Sequence, residues 1–489
     1  MNASNPGTEP PSECSPDAPS VERSRPSENA QSAQRSLNSR LRHSGIWIVF
    51  WRVVGTLLGL ITNVAVSHLL SPAAFGGFVV ALNVINGGGI IARFGADRTI
   101  LKLAGRSFAV GQRNEGFRAI RLGLSLAVVS SVVVGAVIYF ALGRFMQSLG
   151  LDDSLTGLVA LGVMSVALLH VAVESHRAFQ EVRIPAMLAA YGTGPVLNIA
   201  FLVFLGFTIR STPTLFSTVA CYVIAMAVLL PPALISLSRF ATRYSQTSGD
   251  VEAIAGHSIV STKAMLLVSL SIAATDVLQF CLSQSQLLIA AAFCNADEVS
   301  LYATARLLTT LVVTPLFLAS QSVSALIPEL HARQQHDELQ RVLRTAATLA
   351  AIPTVLVSLV FMIMPGPVLG LLFGDFYQSA GPMLAVLSLG GLFYAWTGPC
   401  ATLLLLAGGH NLVLLVNIAS AVVNVVGGLL VARHYGAYGL AVVTAGVQIV
   451  SNVAFLLIAK KSSGVWTHTY FSLYPVLQLV RSKAKPSDR

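Results

Sequence analysis

Long apolar runs alternate with short polar turns from residue 46 to residue 460. Twelve of the runs are long enough to cross a hydrocarbon core of roughly 30 Å at about 1.5 Å of helix rise per residue. They fall at 46–70, 74–96, 119–142, 155–175, 184–208 and 214–237, and then at 264–293, 299–326, 345–364, 380–407, 411–432 and 437–459. The pattern predicts an all-α, polytopic membrane protein with twelve transmembrane helices.

Polar residues inside these spans fall on single helix faces. In the first span Arg52, Thr56, Gly59 and Asn63 recur at steps of three or four, as do Asn83, Asn86, Arg93 and Asp97 in the second. The seventh carries Asp276, Gln279, Ser283 and Gln286 on one face, and the eighth carries Arg306, Thr309 and Thr310. A charge in hydrocarbon costs about 2.5–3.5 kcal/mol, so such residues face protein or a water-filled cavity. The faces therefore read as walls of a cationic, wet pathway. Two other readings stay open: a buried ion pair between Arg52 and Asp276, and an Arg93 that reaches the interface from its helix end. His170 and Glu174, one turn apart on the fourth helix, read either as a proton relay or as part of a helix-end salt bridge with His176 or Arg177.

Charge placement tests the span count. With the N-terminus cytoplasmic, only Arg144, Arg210 and Arg433 fall on outer loops and Arg52, Arg93 and Arg306 within spans; every other Lys and Arg of the 31 lies on the cytoplasmic side. Both termini are then cytoplasmic. A shift of about 224–226 residues lays Ser71–Phe78 over Asn295–Tyr302, Leu197–Ile199 over Val423–Val425, and Arg52 over Asp276. This predicts two pseudo-symmetric six-helix bundles around a central cavity, related by an axis along the membrane normal. The expected organisation is a disordered cytoplasmic tail over 1–44, a first bundle over 45–237, a cytoplasmic linker over 238–262, a second bundle over 263–460, and a cytoplasmic tail over 461–489 with an interfacial amphipathic segment.

Composition narrows the function. The 489 residues are 54% hydrophobic and 11% charged, against about 25% charged in soluble chains. Mean hydropathy is +0.72. The net charge of +10 is spread over short loops and tails, so nucleic acid is not an expected partner. The five cysteines show no ligand spacing, which argues against a metal site, and no Walker A lysine motif is present. No outer loop is large enough for a catalytic domain, so an enzyme is not expected.

Several short segments carry a family likeness. Leu69-Leu70-Ser71-Pro72-Ala73-Ala74-Phe75-Gly76, followed by Arg93-Phe94-Gly95, resembles the first helices of bacterial polysaccharide transporters. So do Leu301-Tyr302-Ala303-Thr304-Ala305-Arg306, Leu326-Ile327-Pro328-Glu329-Leu330, Gly374-Asp375-Phe376-Tyr377, and Asn424 with Tyr435-Gly436-Ala437-Tyr438-Gly439. As an ordered set over roughly 45–460, they resemble the Wzx-type O-antigen and exopolysaccharide flippases of the multidrug/oligosaccharidyl-lipid/polysaccharide flippase superfamily.

The resemblance implies alternating access and an oligosaccharide cargo on undecaprenyl diphosphate, moved from the cytoplasmic to the periplasmic leaflet of a bacterial inner membrane. It further implies membrane lipid, a polysaccharide polymerase and export machinery as partners. The energy source would be a proton or sodium gradient or the membrane potential, with no cofactor. Arginine suits such a cargo, because its planar guanidinium binds phosphate in a bidentate manner. The expected diphosphate and cavity residues are Arg52, Arg93, Arg306, Asn63 and Asn86; the expected ion-coupling residues are Asp276, Glu174 and His170. Related lipid II flippases usually have fourteen helices, two more than this chain. Related drug exporters tend to hold a carboxylate in the first helix, where this chain has Arg52. A cation-coupled drug or multidrug antiporter of the same superfamily is the alternative.

Overall fold

The computed structural model describes residues 28–109, 111–141, 152–179, 183–188, 194–208, 212–247, 262–324 and 326–470, with positions 143, 147 and 181 besides. Residues Met1–Ile46 group as one compact unit and Trp47–Arg489 as a second, to which all contacts below belong. The described residues are helical or in turns. Ten helices among them are long and apolar enough to cross a membrane. The chain is a multi-pass membrane protein.

The first half holds α1 (Glu28–Leu69), α2 (Pro72–Arg93), α3 (Ala96–Ala109), α4 (Arg113–Ala136), α5 (Asp153–Ser175), α6 (Arg183–Leu188), α7 (Pro195–Thr208) and α8 (Leu215–Thr247). The second holds α9 (Thr262–Phe293), α10 (Ala296–Val323), α11 (Leu326–Ala332), α12 (His336–Ile363), α13 (Pro365–Phe373), α14 (Gly381–Thr397), α15 (Cys400–Leu406) and α16 (His410–Ser463). The last of these is two crossings. Gly436, at φ 56° and ψ −149°, breaks the helix, and a Cβ on Gly427 would lie 3.2 Å from Val443. Residues sixteen apart meet only if the chain folds back, so the two legs form a hairpin. The expected span 184–208 corresponds to α6 and α7, with 189–193 outside the described residues.

At three of the expected boundaries the described elements run differently, residues 1–27 and 471–489 lying outside the described set. The tail 1–44, read as disordered, is helical from Glu28 onward. A segment with few large apolar residues can still extend a helix whose costly nucleus a membrane span has already formed. The linker read over 238–262 begins later, because α8 runs on to Thr247; residues 248–261 lie outside the described set. After α16, the greater part of the expected interfacial segment lies outside the described residues, whereas residues 464–470 are described and are not helical. They run as an irregular strap against the second half, with Val465 and Thr467 fully buried. Thr467 Oγ1 donates to Thr397 O at 2.8 Å, the Thr469 N–H to Trp396 O at 3.0 Å, and the Tyr470 N–H to Thr348 Oγ1 at 2.9 Å. Satisfied backbone groups and apolar burial hold these residues in place.

The halves repeat in detail. Ser71 caps α2, its Oγ accepting from Ala74 N; Asn295 caps α10 in the equivalent place, its Oδ1 accepting from Glu298 N at 2.8 Å. Such side chains satisfy amides that a helix start leaves without partners. The turn from α3 to α4 closes with Gln112 N donating to Ser107 O at 2.9 Å, and the turn from α11 to α12 with Gln335 N donating to Leu330 O at 3.0 Å. Gly111 and Gln334 hold matching left-handed φ values of 78° and 58° there. Helix pairings repeat too: α2, α4 and α5 pack on one another, as do α10, α12 and α14.

One core runs through both halves. Phe78 stacks on Phe201 at 5.9 Å, and Phe75 meets Tyr377 edge-on at 6.1 Å across the divide. Smaller clusters lie under α3 and α4 and under α11, α12 and α15. Val128, Val129, Val132 and Val133 on α4, like Leu356, Val360 and Ile363 on α12, stay exposed. Acyl chains are their natural solvent. Pro231 and Pro232 lie inside α8, Pro315 inside α10 and Pro353 inside α12, whereas Pro195 starts α7 and Pro399 caps α15.

Candidate functional site

The two halves meet along α2, α9 and α10. Near the Ser71 and Asn295 caps, which may be called the far end, the helices approach closely: a Cβ on Gly76 would sit 2.6 Å from Ala296 O, so only glycine fits. His68 Nε2 donates to Leu372 O at 3.0 Å at the same end. Between the halves lie two adjoining pockets of about 460 and 730 Å³ that share Asn63, Gln279, Ser283, Gln284, Thr310 and Gln448. They form one cavity.

Its walls come from the faces that the sequence marks out, with additions. Arg52, Thr56, Gly59, Asn63 and Asn86 line the larger part, and Arg306, Thr309 and Thr310 line the smaller. Among the described lining residues, Arg52 and Arg306 are the charged ones, and no carboxylate joins them. The Arg52 guanidinium stands 5.2 Å from the centre of the Phe317 ring, a cation–π contact. Arg306 Nη2 donates to the Ser283 carbonyl. Around them lie amides from both halves: Asn198, Gln279, Gln284, Asn417, Asn424, Gln448 and Asn452. Asn63 Nδ2 donates to Gly59 O at 2.8 Å, leaving its carbonyl oxygen toward the cavity wall.

Arg93 occupies a different setting. It is 5% exposed, Nη1 lies 2.7 Å from Asp97 Oδ2, and Nη2 lies 3.0 Å from Asp276 Oδ2. Arg98 Nη1 reaches Asp276 Oδ1 at 3.0 Å, and His170 Nε2 reaches Asp97 Oδ2 at 3.3 Å. The break after α2 makes this possible. Phe94 and Gly95 both adopt left-handed φ, of 50° and 67°, and turn the chain so that α3 begins beside Arg93. Burial pushes the Asp97 carboxyl up, but the His170 hydrogen bond, the charges on Arg93 and His170 and the Arg98 amide outweigh it. The group is held well below the usual carboxylate range. Asp276, near the middle of α9, thus lies level with the junction of α2 and α3, where Arg93, Arg98, Lys102 and Arg106 make this the basic end of the bundle.

Arg52 and Asp276 do not pair. They hold equivalent positions in the two halves, so the repeat places them at opposite seams. The same shift sets Phe317 where the first half has Arg93. The packed crossing of α9 on α2 is joined by the Asp276–Arg93 ion pair; at the equivalent place α1 reaches α10 through Arg52 on Phe317. His170 and Glu174 also part company: His170 faces Asp97, and Glu174 Oε2 pairs with Arg177 Nε at 3.1 Å. Gln286 does not line the cavity itself but stands behind Asn424, which does, and whose Oδ1 accepts from its Nε2 at 2.9 Å.

Residues outside the expected set complete the site. Arg98 reads in the sequence as one more cytoplasmic-loop charge. Gln284 breaks the helical step of its neighbours, yet accepts from Asn83 Nδ2 at 3.1 Å across the halves. Asn198 was legible only as a repeat match, and Asn424 as a repeat match and as part of the family likeness. No group of three or more His, Cys, Asp or Glu among the described residues is placed to hold a metal ion.

No protein-family model matches the chain, and no curated protein matches it. Solved structures do. The fold is similar to a multidrug resistance MATE family transporter of the MOP superfamily in an inward-facing conformation, with TM-score 0.60 and 15% identity over 86% of this chain and 98% of that one. It is similar to the lipid II flippase MurJ in an inward closed conformation, with TM-score 0.59 and 11% identity over 91% and 93%. A MOP superfamily transporter from Pyrococcus furiosus, whose reversed binding-pocket polarity suggests a different function, aligns with TM-score 0.54 and 15% identity over 86% and 95%. At these identities the likeness is one of fold.

Proposed function

We propose that this chain, built on a fold found in the MATE transporters and in MurJ, is a flippase for an oligosaccharide carried on a polyprenyl diphosphate. Undecaprenyl diphosphate is the intended carrier, and the movement runs from the cytoplasmic to the periplasmic leaflet of a bacterial inner membrane by alternating access. The bundles are taken as 45–237 and 263–460, with both termini cytoplasmic and the basic end facing the cytoplasm. The product feeds cell-surface or exopolysaccharide synthesis, with polymerase and export machinery downstream.

The observation that carries this reading is the charge of the cavity: Arg52 and Arg306 line its two main parts with no carboxylate, and in the pocket that opens into them the one acid, Asp276, is outnumbered by Arg93 and Arg98. An anionic head group entering a low-dielectric space needs cations already in place. The amides and hydroxyls around them suit the many donors and acceptors of a sugar. A cationic drug would meet repulsion in the same space. Asp276, the nearest acid by position, is already shared by two arginines. Energy comes from an ion gradient or the membrane potential, worth about 2.3 kcal/mol per charge per 100 mV. Asp276, His170 and Glu174 remain the coupling candidates, and the Asp97–His170 contact makes His170 the first to test.

The test is transfer of a prenyl-diphosphate-linked sugar across vesicles containing the purified chain. Transfer is expected, with loss on Arg306→Ala. Transport of cationic dyes instead, with no movement of the lipid-linked sugar, overturns the reading in favour of an antiporter.

A further inference from the structure

We propose that Asp276 is an internal stand-in for the diphosphate: an incoming lipid-borne diphosphate displaces it from Arg93 and Arg98 and thereby unties the halves at the basic end. This rests on the cargo proposed above and adds a docking place and an order of events.

The geometry is that of an anion clamp. Each oxygen of the Asp276 carboxylate is taken by a different guanidinium, Oδ1 by Arg98 and Oδ2 by Arg93, both at 3.0 Å. Adjacent phosphoryl oxygens present the same pattern with more charge. The clamp is also reachable. The Arg98 side chain is 59% exposed, whereas that of Asp276 is 5% exposed. The clamp lines a pocket of about 490 Å³ that shares Asn86, Gln279, Ser283 and Gln284 with the main cavity. An anion leaving the clamp therefore finds a polar route toward Arg52 and Arg306.

Displacement has a mechanical consequence because the clamp's parts come from different halves. The arginines belong to α2 and α3, and the carboxylate to α9. Arg93 keeps a counter-ion when Asp276 leaves, since Asp97 holds its other Nη at 2.7 Å with His170 behind it. Asp276 has no such reserve. A buried carboxylate stripped of its partners is strongly disfavoured, and moving α9 off α2 into water relieves it. The seam beside it, where Ser269 Oγ donates to Thr99 Oγ1 at 2.9 Å, reports whether α9 has moved. The equivalent place has Phe317 instead of Arg93, so the device exists on one side only.

The experiment uses the full chain in lipid nanodiscs carrying Thr99→Cys and Ser269→Cys, with disulfide cross-linking as the readout. Saturating farnesyl diphosphate is expected to slow cross-linking by up to about fivefold, the factor by which loss of a partly exposed ion pair shifts an equilibrium. Arg98→Ala, at an exposed position that leaves the fold intact, should abolish that effect. Asp276→Asn should slow cross-linking without ligand and tighten farnesyl diphosphate binding. Inorganic pyrophosphate acting at the same concentration would assign the clamp to a soluble diphosphate, and a need for far more would assign it to the lipid-borne form. Should farnesyl diphosphate bind, lose affinity on Arg306→Ala, and leave cross-linking unchanged, the clamp is wrong and the cargo reading stands. Absence of any binding to the parent chain removes both.

Discussion

Arg52 and Asp276 occupy equivalent positions in the two halves, yet Arg52 rests on the Phe317 ring at 5.2 Å while Asp276 joins Arg93 at 3.0 Å. A repeat that began as symmetric has become an ion-paired seam on one side and a cavity wall on the other. The difference separates a residue that holds the protein together from one that is free to meet a ligand.

A double-mutant cycle tests that separation. Arg93→Ala and Asp276→Asn should show a coupling of about 1–3 kcal/mol in thermal or denaturant unfolding, and Arg52→Ala with Asp276→Asn should add within about 0.5 kcal/mol. Arg93→Ala by itself should cost up to about 3–5 kcal/mol, because it leaves Asp276 with Arg98 alone and Asp97 with His170 alone. Equal coupling for both pairs would place Arg52 and Asp276 in one network.

The cavity arginines should behave in the opposite way. Neither Arg52 nor Arg306 has a carboxylate in ion-pairing distance among the described residues, so Arg52→Ala and Arg306→Ala should leave the melting temperature nearly unchanged. Each should weaken farnesyl diphosphate binding about tenfold to a hundredfold, the worth of a hydrogen bond to a charged group at about 1.5–3 kcal/mol. Titration calorimetry on the detergent-solubilised chain reads both affinities.

Asp97's share of the basic-end cluster should yield to acid only below the ordinary carboxylate range. Asp97 is held low in the folded state, so its contribution is complete above the unfolded value of about 4 and is lost as pH falls through the lower folded value. Stability is therefore expected to be flat on Asp97's account from pH 8 to about 5 and to decline below about 4. His170→Ala removes one of the groups holding Asp97 down and should shrink that decline. Melting curves of both proteins across pH decide it; an acid decline of equal size in the two excludes the His170 contact.

The strap after α16 predicts a graded truncation series. A chain ending at Tyr470 keeps every strap contact described above, whereas one ending at Ser463 loses the buried Val465 and Thr467 and the hydrogen bonds to Thr397, Trp396 and Thr348. At about 0.5–1.5 kcal/mol per hydrogen bond, the shorter chain should melt several degrees lower. Equal melting of the two would show that the strap contributes nothing to the second half.

Much of the fold was legible because lipid imposes a strict one-dimensional rule. A helix that crosses a membrane needs some twenty apolar residues, and each crossing reverses the side on which Lys and Arg collect. The repeat was visible for a related reason: caps such as Ser71 and Asn295 are local devices, written in adjacent residues. The strap and the helical start at Glu28 escaped notice, since one depends on distant partners and the other on a neighbouring span.

The site divides along the same line. Sequence alone determined which residues are too polar to face acyl chains, and so it marks Arg52, Asn63, Asn86, Arg93, Asp276 and Arg306. Helical spacing says that two side chains share a face, but it cannot say which face of another helix lies opposite. Tertiary structure alone decided that Arg93 and Arg98 close on Asp276 while Arg52 and Arg306 stay in the cavity, because ion pairs between α2, α3 and α9 depend on how separate helices are packed.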